Sequence, residues 1–396
     1  MKSYNILIAT SSRAEYGILK PIIFELKKTE HSINILVTGA HLSNSYGFTL
    51  DEITQDGLVP DYKILSIKED DVDKSTVNSM TRIMSGFNAI VETEKFDFVI
   101  LLGDRHEIFA ISTVCLVHNI PIVHLHGGEV TIGAIDEQFR HSISKMSTLH
   151  FVIHEEYRQR LINMGELPES VFNYGSIAVE QIKKSSLKSL EQLKIILNVP
   201  FDLNEPYAVM TYHPETHGNL DYEEKLSLIL GCIKDWGLNC IITKANADKD
   251  GELINHILDR IVSTNKDRFI LIDSLGSLNY WSIIKYSKLV IGNSSSSIIE
   301  LPSLKIPIIN IGDRQKGRIK QLNIIDVGYS INELNESYEK IATDDFHQNI
   351  SKMNNEFEGE NTLEKIVNTM MEYFLDKNNL SKKVFFDIKI ENRQHD

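Results

Sequence analysis

Polar residues of this chain gather in short clusters, most of them closing an apolar run, and three of the clusters carry the carboxylates best placed for proton transfer. Asp104 stands in Gly103-Asp104-Arg105-His106-Glu107, directly after Phe98–Leu102. Glu129 ends His124-Leu125-His126-Gly127-Gly128-Glu129, after the run that starts at Ile120. If the two runs are neighbouring parallel strands, both carboxylates reach one rim. Paired carboxylates push each other's pKa apart, which suits general acid–base work. Plainer roles stay open: Asp104 as a helix N-cap and Glu129 as a solvated loop residue. A third acid, Asp136, precedes Glu137, Arg140, His141 and Ser144, which share one helix face by i, i+3, i+4 and i+7 spacing. His106, His124 and His126 have no accompanying carboxylate ligand set, so they read as hydrogen-bonding histidines and no metal is expected.

A second group of clusters suits an anion. Thr10-Ser11-Ser12-Arg13-Ala14-Glu15-Tyr16-Gly17 offers free backbone N–H groups and a guanidinium at a helix start. Gly292-Asn293-Ser294-Ser295-Ser296-Ser297 opens a further helical segment, where N–H groups, hydroxyls and the helix dipole can cradle a diphosphate. His213-Pro214-Glu215-Thr216-His217, Lys244-Ala245-Asn246-Ala247-Asp248 and the cationic Gly312–Arg318 also follow apolar runs. The chain has no GxxxxGK[ST] and no GxGxxG, which removes the best evidence for a P-loop nucleotidase or an NAD enzyme.

The elements that must position these groups form two series. Asn5–Ala9, Ile33–Val37, Phe98–Leu102, Ile120–His124 and His150–Ile153 alternate with amphipathic stretches Ile18–Lys28, Met80–Glu94, Glu107–His118 and Glu137–Thr148. Tyr207–Thr211, Cys240–Thr243, Phe269–Ile272, Leu289–Ile291 and Ile306–Ile311 repeat the pattern. Unalternating runs of four or five apolar residues predict strands buried on both faces, and strand–helix–strand order predicts parallel sheets. The polar stretch Lys183–Leu203 is expected to connect the series, and Thr362–Leu375 to form a last amphipathic helix. A chain of 396 residues with net charge −14 and 42% hydrophobic residues fits a soluble globular protein and discounts nucleic-acid binding. Three cysteines in no metal spacing, no signal-peptide layout and no membrane-length apolar run point to a cytoplasmic protein.

Together the motifs resemble the hydrolysing UDP-N-acetylglucosamine 2-epimerases of the sialic-acid pathway. The matching stretches are SRAEYG (12–17), GDRHE (103–107), HGGE (126–129), IDEQFRHSISKMS (135–147), HPET (213–216), GNSSSSIIELPSL (292–304) and NIGDRQKGR (310–318). They span Ser12 to Arg318 in family order. Relatives that do not release UDP carry an Arg-Pro-Glu motif after strand one, where this chain has Arg13-Ala14-Glu15. The resemblance implies an α/β fold of GT-B type, two Rossmann-like doubly wound domains facing a central cleft. It implies an N-terminal domain over 1–180, a UDP-binding domain over 181–360, and a helix and tail over 361–396 able to pack back on the first.

The implied chemistry is elimination of UDP across C1–C2 to 2-acetamidoglucal, then hydration to N-acetylmannosamine. Asp104, Glu129 and Asp136 are then acid–base candidates, and their division of labour stays open. His213 joins the catalytic set. Arg13, Ala14, Arg105, Arg140, His141, Asn246, Ser294, Ser295, Ser296, Glu300 and Arg314 would bind the UDP-sugar, Glu300 at the ribose hydroxyls. Helix N-termini and arginines can do at a diphosphate what Mg²⁺ does, so no cofactor is expected. A homodimer or homotetramer is implied. The alternatives are a hydrolysing 2-epimerase of UDP-2,4-diacetamido-2,4,6-trideoxyglucose, as in legionaminic acid synthesis, a GT-B glycosyltransferase lacking any marked acceptor groove, and a non-catalytic sugar-nucleotide sensor.

Overall fold

The computed structural model describes residues 3–43, 48–67, 75–132, 134–215, 221–245, 250–376 and 383–388. The chain divides into two compact units: Met1–Glu129 with Asp136–Ile177 and Gly359–Asp396, and Val130–Ile135 with Ala178–Glu358. Thus the chain leaves the first unit after Glu129 and re-enters it at Asp136, two of the acidic candidates. Lys183–Leu203 joins the two series of strands, and it does so as a folded part of the second unit. Ser189 and Gln192 form a capping box that starts the helix Leu190–Ile196, and Leu193, Leu197 and Leu203 bury their side chains in the second unit.

The first unit holds β1 (Asn5–Thr10), β2 (Ser32–Val37), β3 (Tyr62–Lys63), β4 (Phe98–Leu102), β5 (Ile122–Leu125), β6 (Leu149–Val152) and β7 (Val171–Asn173), in the spatial order β3-β2-β1-β4-β5-β6-β7. The second holds β8 (Tyr207–Thr211), β9 (Asn239–Thr243), β10 (Phe269–Ile272), β11 (Leu289–Gly292), β12 (Ile308–Ile311) and β13 (Ile324–Val327), ordered β10-β9-β8-β11-β12-β13. All pairings are parallel.

Successive residues of β1 go to opposite cores, as strands covered on both faces require. Ile6 and Ile8 pack with the helices Arg13–Leu26 and Thr362–Leu375, whereas Leu7 and Ala9 pack with Thr76–Val91 and His106–Val117. In the last helix Phe374 stacks on Phe98 with centroids 4.1 Å apart, and its carbonyl accepts the Tyr4 hydroxyl at 2.9 Å. In β8, Tyr207 and Val209 face one core of the second unit, Ala208 and Met210 the other.

β3, β7 and β13 are absent from the sequence expectation, and all three lie at sheet edges. An edge strand pairs on one side only and is often short, so it can leave no apolar run to read; the fourth edge strand, β10, kept one. β5 and β12 begin later than their apolar runs because Pro121 and Pro307, with no N–H to give to a ladder, stand just before them. Their carbonyls still accept from Val99 and Val290.

Strand order reverses between β1 and β4 in the first unit, and between β8 and β11 in the second. Such switch points leave a crevice at the carboxyl ends of the two strands. The four loops there begin with Ser11, Gly103, Tyr212 and Asn293. These are the sites of four of the sequence motifs.

Candidate active site

In the first unit, Arg140 organises the acids. It lies in the helix Asp136–Met146, and its side chain is only 2% exposed. One guanidinium nitrogen pairs with the Asp104 carboxylate, and the other donates to the Glu129 carbonyl at 3.0 Å and lies 3.7 Å from Glu137. Asp104 keeps 24% of its side chain exposed, so one partner of this pair still meets solvent. Glu129 is buried and accepts from or faces His126 Nδ1 at 3.0 Å. Gly128 makes this possible: at φ +76° it is pressed against the Tyr157 carbonyl, leaving no room for a Cβ.

His124 sits beneath the same loops. Its ring nitrogens meet Ser144 Oγ at 3.0 Å and Gly103 O at 2.8 Å, and burial pushes its pKa down to about 3. A neutral His124 therefore ties β5 to the Asp104 loop and to the Arg140 helix. It acts as a hydrogen-bonding histidine. Asp136 is the first residue of that helix, one turn before Arg140, and His141 contacts Glu137 at 3.1 Å.

The polar loop after β1 is built on Glu15. Ser12 caps the helix Arg13–Leu26, which leaves Arg13 half-buried and Ala14 exposed at its first two positions. Glu15 accepts the Ser11 N–H at 2.6 Å, and burial, partly offset by Arg105, pushes its pKa up to about 7. Arg105 forks onto Glu107 with both distances 3.2 Å and lies 3.9 Å from Glu15. Although burial opposes its charge, Glu107 is held below the ordinary carboxylate range by Arg105 and His106. The guanidinium expected to reach substrate is thus already engaged by buried carboxylates.

In the second unit one residue joins three motifs. Asn293 is fully buried; its Oδ1 accepts the His213 N–H at 2.7 Å and its Nδ2 donates to the His213 carbonyl at 2.9 Å. Its own carbonyl receives Arg314 at 3.2 Å and Gln315 at 2.8 Å. The strand exits approach closely because Gly292 has no side chain; a Cβ there would overlap the Thr211 carbonyl. The structure therefore brings His213, Ser294, Ser295 and Arg314 onto neighbouring loops. Ser296 donates to Glu300 at 2.8 Å, so these two expected ligands begin as each other's partner.

The helix after the serines is a single turn, Ser296–Ile299, followed by the 3-10 turn Leu301–Leu304. The expected helix-dipole contribution is correspondingly small. Any anion here relies on N–H groups, hydroxyls and Arg314. Asn246, Thr216 and His217 lie outside the described residues. Among the described residues no cluster of three or more His, Cys, Asp or Glu is arranged for a metal, and no helix is long and apolar enough to cross a membrane. Asn293, Glu15 and Gln315 were not anticipated as site-forming residues. The signal available for Asn293 was its place right after a strand-ending glycine, where a side-chain amide can serve both an N–H and a C=O of the adjacent strand.

Residues 25–371 match the family model "UDP-N-acetylglucosamine 2-epimerase". The chain is 42% identical to the GDP/UDP-N,N'-diacetylbacillosamine 2-epimerase (hydrolyzing) of Campylobacter jejuni, covering 88% of this chain and 90% of that one. It is 35% identical to the polysialic acid biosynthesis protein P7 of Escherichia coli, over 97% of both. Its fold resembles the crystal structure of UDP-GlcNAc 2-epimerase from Neisseria meningitidis bound to UDP-GlcNAc, with a TM-score of 0.76 at 19% identity, covering 93% of this chain and 100% of that one. With its motifs at the switch points of two parallel sheets, the chain belongs to the UDP-N-acetylglucosamine 2-epimerase family.

Proposed function

We propose that the protein is a hydrolysing 2-epimerase of a nucleoside-diphosphate-linked 2-acetamido sugar. The observation that carries the reading is the arrangement of Asp104 and Glu129 on the exits of adjacent strands, tied through buried Arg140. The proton on C2 has no neighbouring carbonyl and is barely acidic, so a base can remove it only as the bond from C1 to the diphosphate oxygen breaks. Protonation of the resulting glycal at C2 from the opposite face, with water adding at C1, gives the free epimer. The balance is redox neutral: one water is consumed, and the nucleoside diphosphate leaves with its oxygens intact. Asp104, Glu129 and Asp136 are the proton-transfer groups, each worth roughly 10²–10⁴ in rate. His213, Ser294, Ser295, Ser296 and Arg314, with Arg13 and Asn246, bind the diphosphate, and Glu300 the ribose. Arg140 and Arg105 act as positioning residues for the carboxylates they hold.

For the sugar, the 42% identity to the Campylobacter protein supports N,N'-diacetylbacillosamine, carried on UDP. The second reading is UDP-GlcNAc, and hence N-acetylmannosamine for sialic acid; it is supported by the match to P7 along 97% of both chains. Incubation with each sugar nucleotide separately, following released UDP and free sugar, tests both. Release of UDP with a mannose-configured free sugar is expected. Formation of an intact UDP-linked epimer, or no turnover of either compound, would overturn the proposal.

A further inference from the structure

The helix that carries Asp136 and Arg140 is held at its far end by a residue from the chain's tail. The Lys383 ammonium donates to the carbonyls of Lys145 at 2.7 Å and Ser147 at 2.6 Å, and lies 3.4 Å from that of Ser144. Lys145 is in the last turn of Asp136–Met146, where carbonyls run out of intrahelical donors, and Ser147 is the first residue past it; the Ser144 carbonyl also receives the Ser147 N–H at 3.1 Å. The same ammonium pairs at 2.7 Å with Glu166, whose side chain is 2% exposed. Glu166 also receives Lys145 at 2.8 Å and faces His150 Nε2 at 3.0 Å.

The charges in this cluster do not cancel. Burial works against the Glu166 charge, yet His150 and the two ammoniums hold its pKa at about 2. Burial pushes His150 down, which favours its neutral form. One carboxylate therefore faces two ammoniums, and the surplus positive charge sits where the partial negative charge of the helix C-terminus is concentrated.

The tail segment gains little else from its position. Val384 and Phe385 are each 59% exposed and Ile388 is 48% exposed. Phe386 N–H donates to Gly165 O at 3.0 Å, and the Phe385 ring lies 4.6 Å from the Lys145 ammonium. The attachment is mainly ionic, with the Phe385 ring against Gly165 and Phe386 half-buried as its apolar part. The segment also lies past residue 371, the last position matched by the family model.

We propose that Lys383 is a positioning residue: by tying the C-terminal carbonyls of the helix Asp136–Met146 to Glu166, it fixes the axial position of Arg140, and through it the Asp104 carboxylate. The lever is short. Arg140 and Lys145 are five residues apart on one rigid element, about 7.5 Å at 1.5 Å per residue, so a slip at the end reaches the guanidinium undiminished. Ser144 on the last turn also holds His124, which holds Gly103 O beside Asp104. Displacing such a site by about 1 Å costs up to roughly 10² in rate.

The inference rests on the proposed function only where turnover is the readout, so the test has two arms in the full-length protein. Lys383→Met is expected to leave the protein folded, to lower kcat about tenfold or more with KM within about twofold, and to speed amide exchange in peptides covering 143–147 about tenfold. Lys383→Arg should restore kcat to within about threefold, because charge and donors return. If Lys383→Met fails to fold, Lys383→Gln keeps a donor without the charge and should give the same kcat–KM split. Faster exchange with unchanged kcat would make Lys383 a local cap only and overturn the proposal, as would a rise in KM alone or wild-type behaviour in both arms. If the wild-type protein turns over neither sugar nucleotide, the proposed function fails, and the exchange arm by itself decides whether Lys383 holds the helix.

Discussion

Replacing Arg140 by Met separates two roles for this residue. The family motif implies that its guanidinium binds the sugar nucleotide, whereas the structure engages it with Asp104, the Glu129 carbonyl and Glu137. Met approximates the volume and removes the donors. A charge-assisted hydrogen bond contributes about 1.5–3 kcal/mol and a stranded buried carbonyl costs about 1 kcal/mol or more. A fully buried broken pair would cost about 3–5 kcal/mol, but Asp104, at 24% exposure, regains part of its hydration. The expected loss is about 2–4 kcal/mol, which for a unit of this size lowers Tm by roughly 5–15 °C. The released Asp104 carboxylate then samples other positions, so kcat falls about 10² while UDP affinity stays within about threefold. Thermal unfolding, calorimetric titration with UDP and steady-state kinetics on the same preparation give all three quantities. Near-normal kcat with UDP affinity lowered tenfold or more would refute the positioning role and return Arg140 to the ligand set.

Asn293→Ala removes both hydrogen bonds that hold the His213 backbone. It should cost about 2–5 kcal/mol in denaturant unfolding and weaken UDP binding at least about tenfold; unchanged UDP affinity would show that His213 keeps its place without Asn293. His124 titrates at about 3 in the folded chain against an ordinary 6.5, so its contribution to stability is present above pH 6.5 and is lost as pH falls from 6.5 to about 3. The stability difference between wild type and His124→Asn, measured by denaturant unfolding at several pH values, should therefore shrink across that window; a difference independent of pH would place the titration elsewhere.

Central strands were legible in the sequence because burial on both faces writes an unbroken apolar run: β4 and β8 coincide with their runs, as does the last helix, Thr362–Leu375. Of the four edge strands only β10 wrote such a run, Phe269–Ile272; Tyr62–Lys63 has only two residues. Site positions were legible for a related reason. In a parallel α/β sheet the polar clusters after apolar runs are the carboxyl-end loops. What side chains do there was less legible. The stripe Glu137, Arg140, His141, Ser144 has the spacing of a solvated helix face, yet Arg140 and Ser144 point inward and are consumed by Asp104 and His124. Spacing gives a face but not the partner across from it. The link from Lys383 to Ser147 spans more than two hundred positions and carries no local pattern at all.

The central claim, that C2 is inverted through loss of its proton as the C1–oxygen bond breaks, is tested most directly by running the reaction in D₂O and reading the free sugar by proton NMR and mass spectrometry. The account predicts one non-exchangeable deuterium per product molecule, located at C2, because the original proton departs with the enzyme base and its replacement comes from solvent. Product that keeps the original proton at C2 would contradict it.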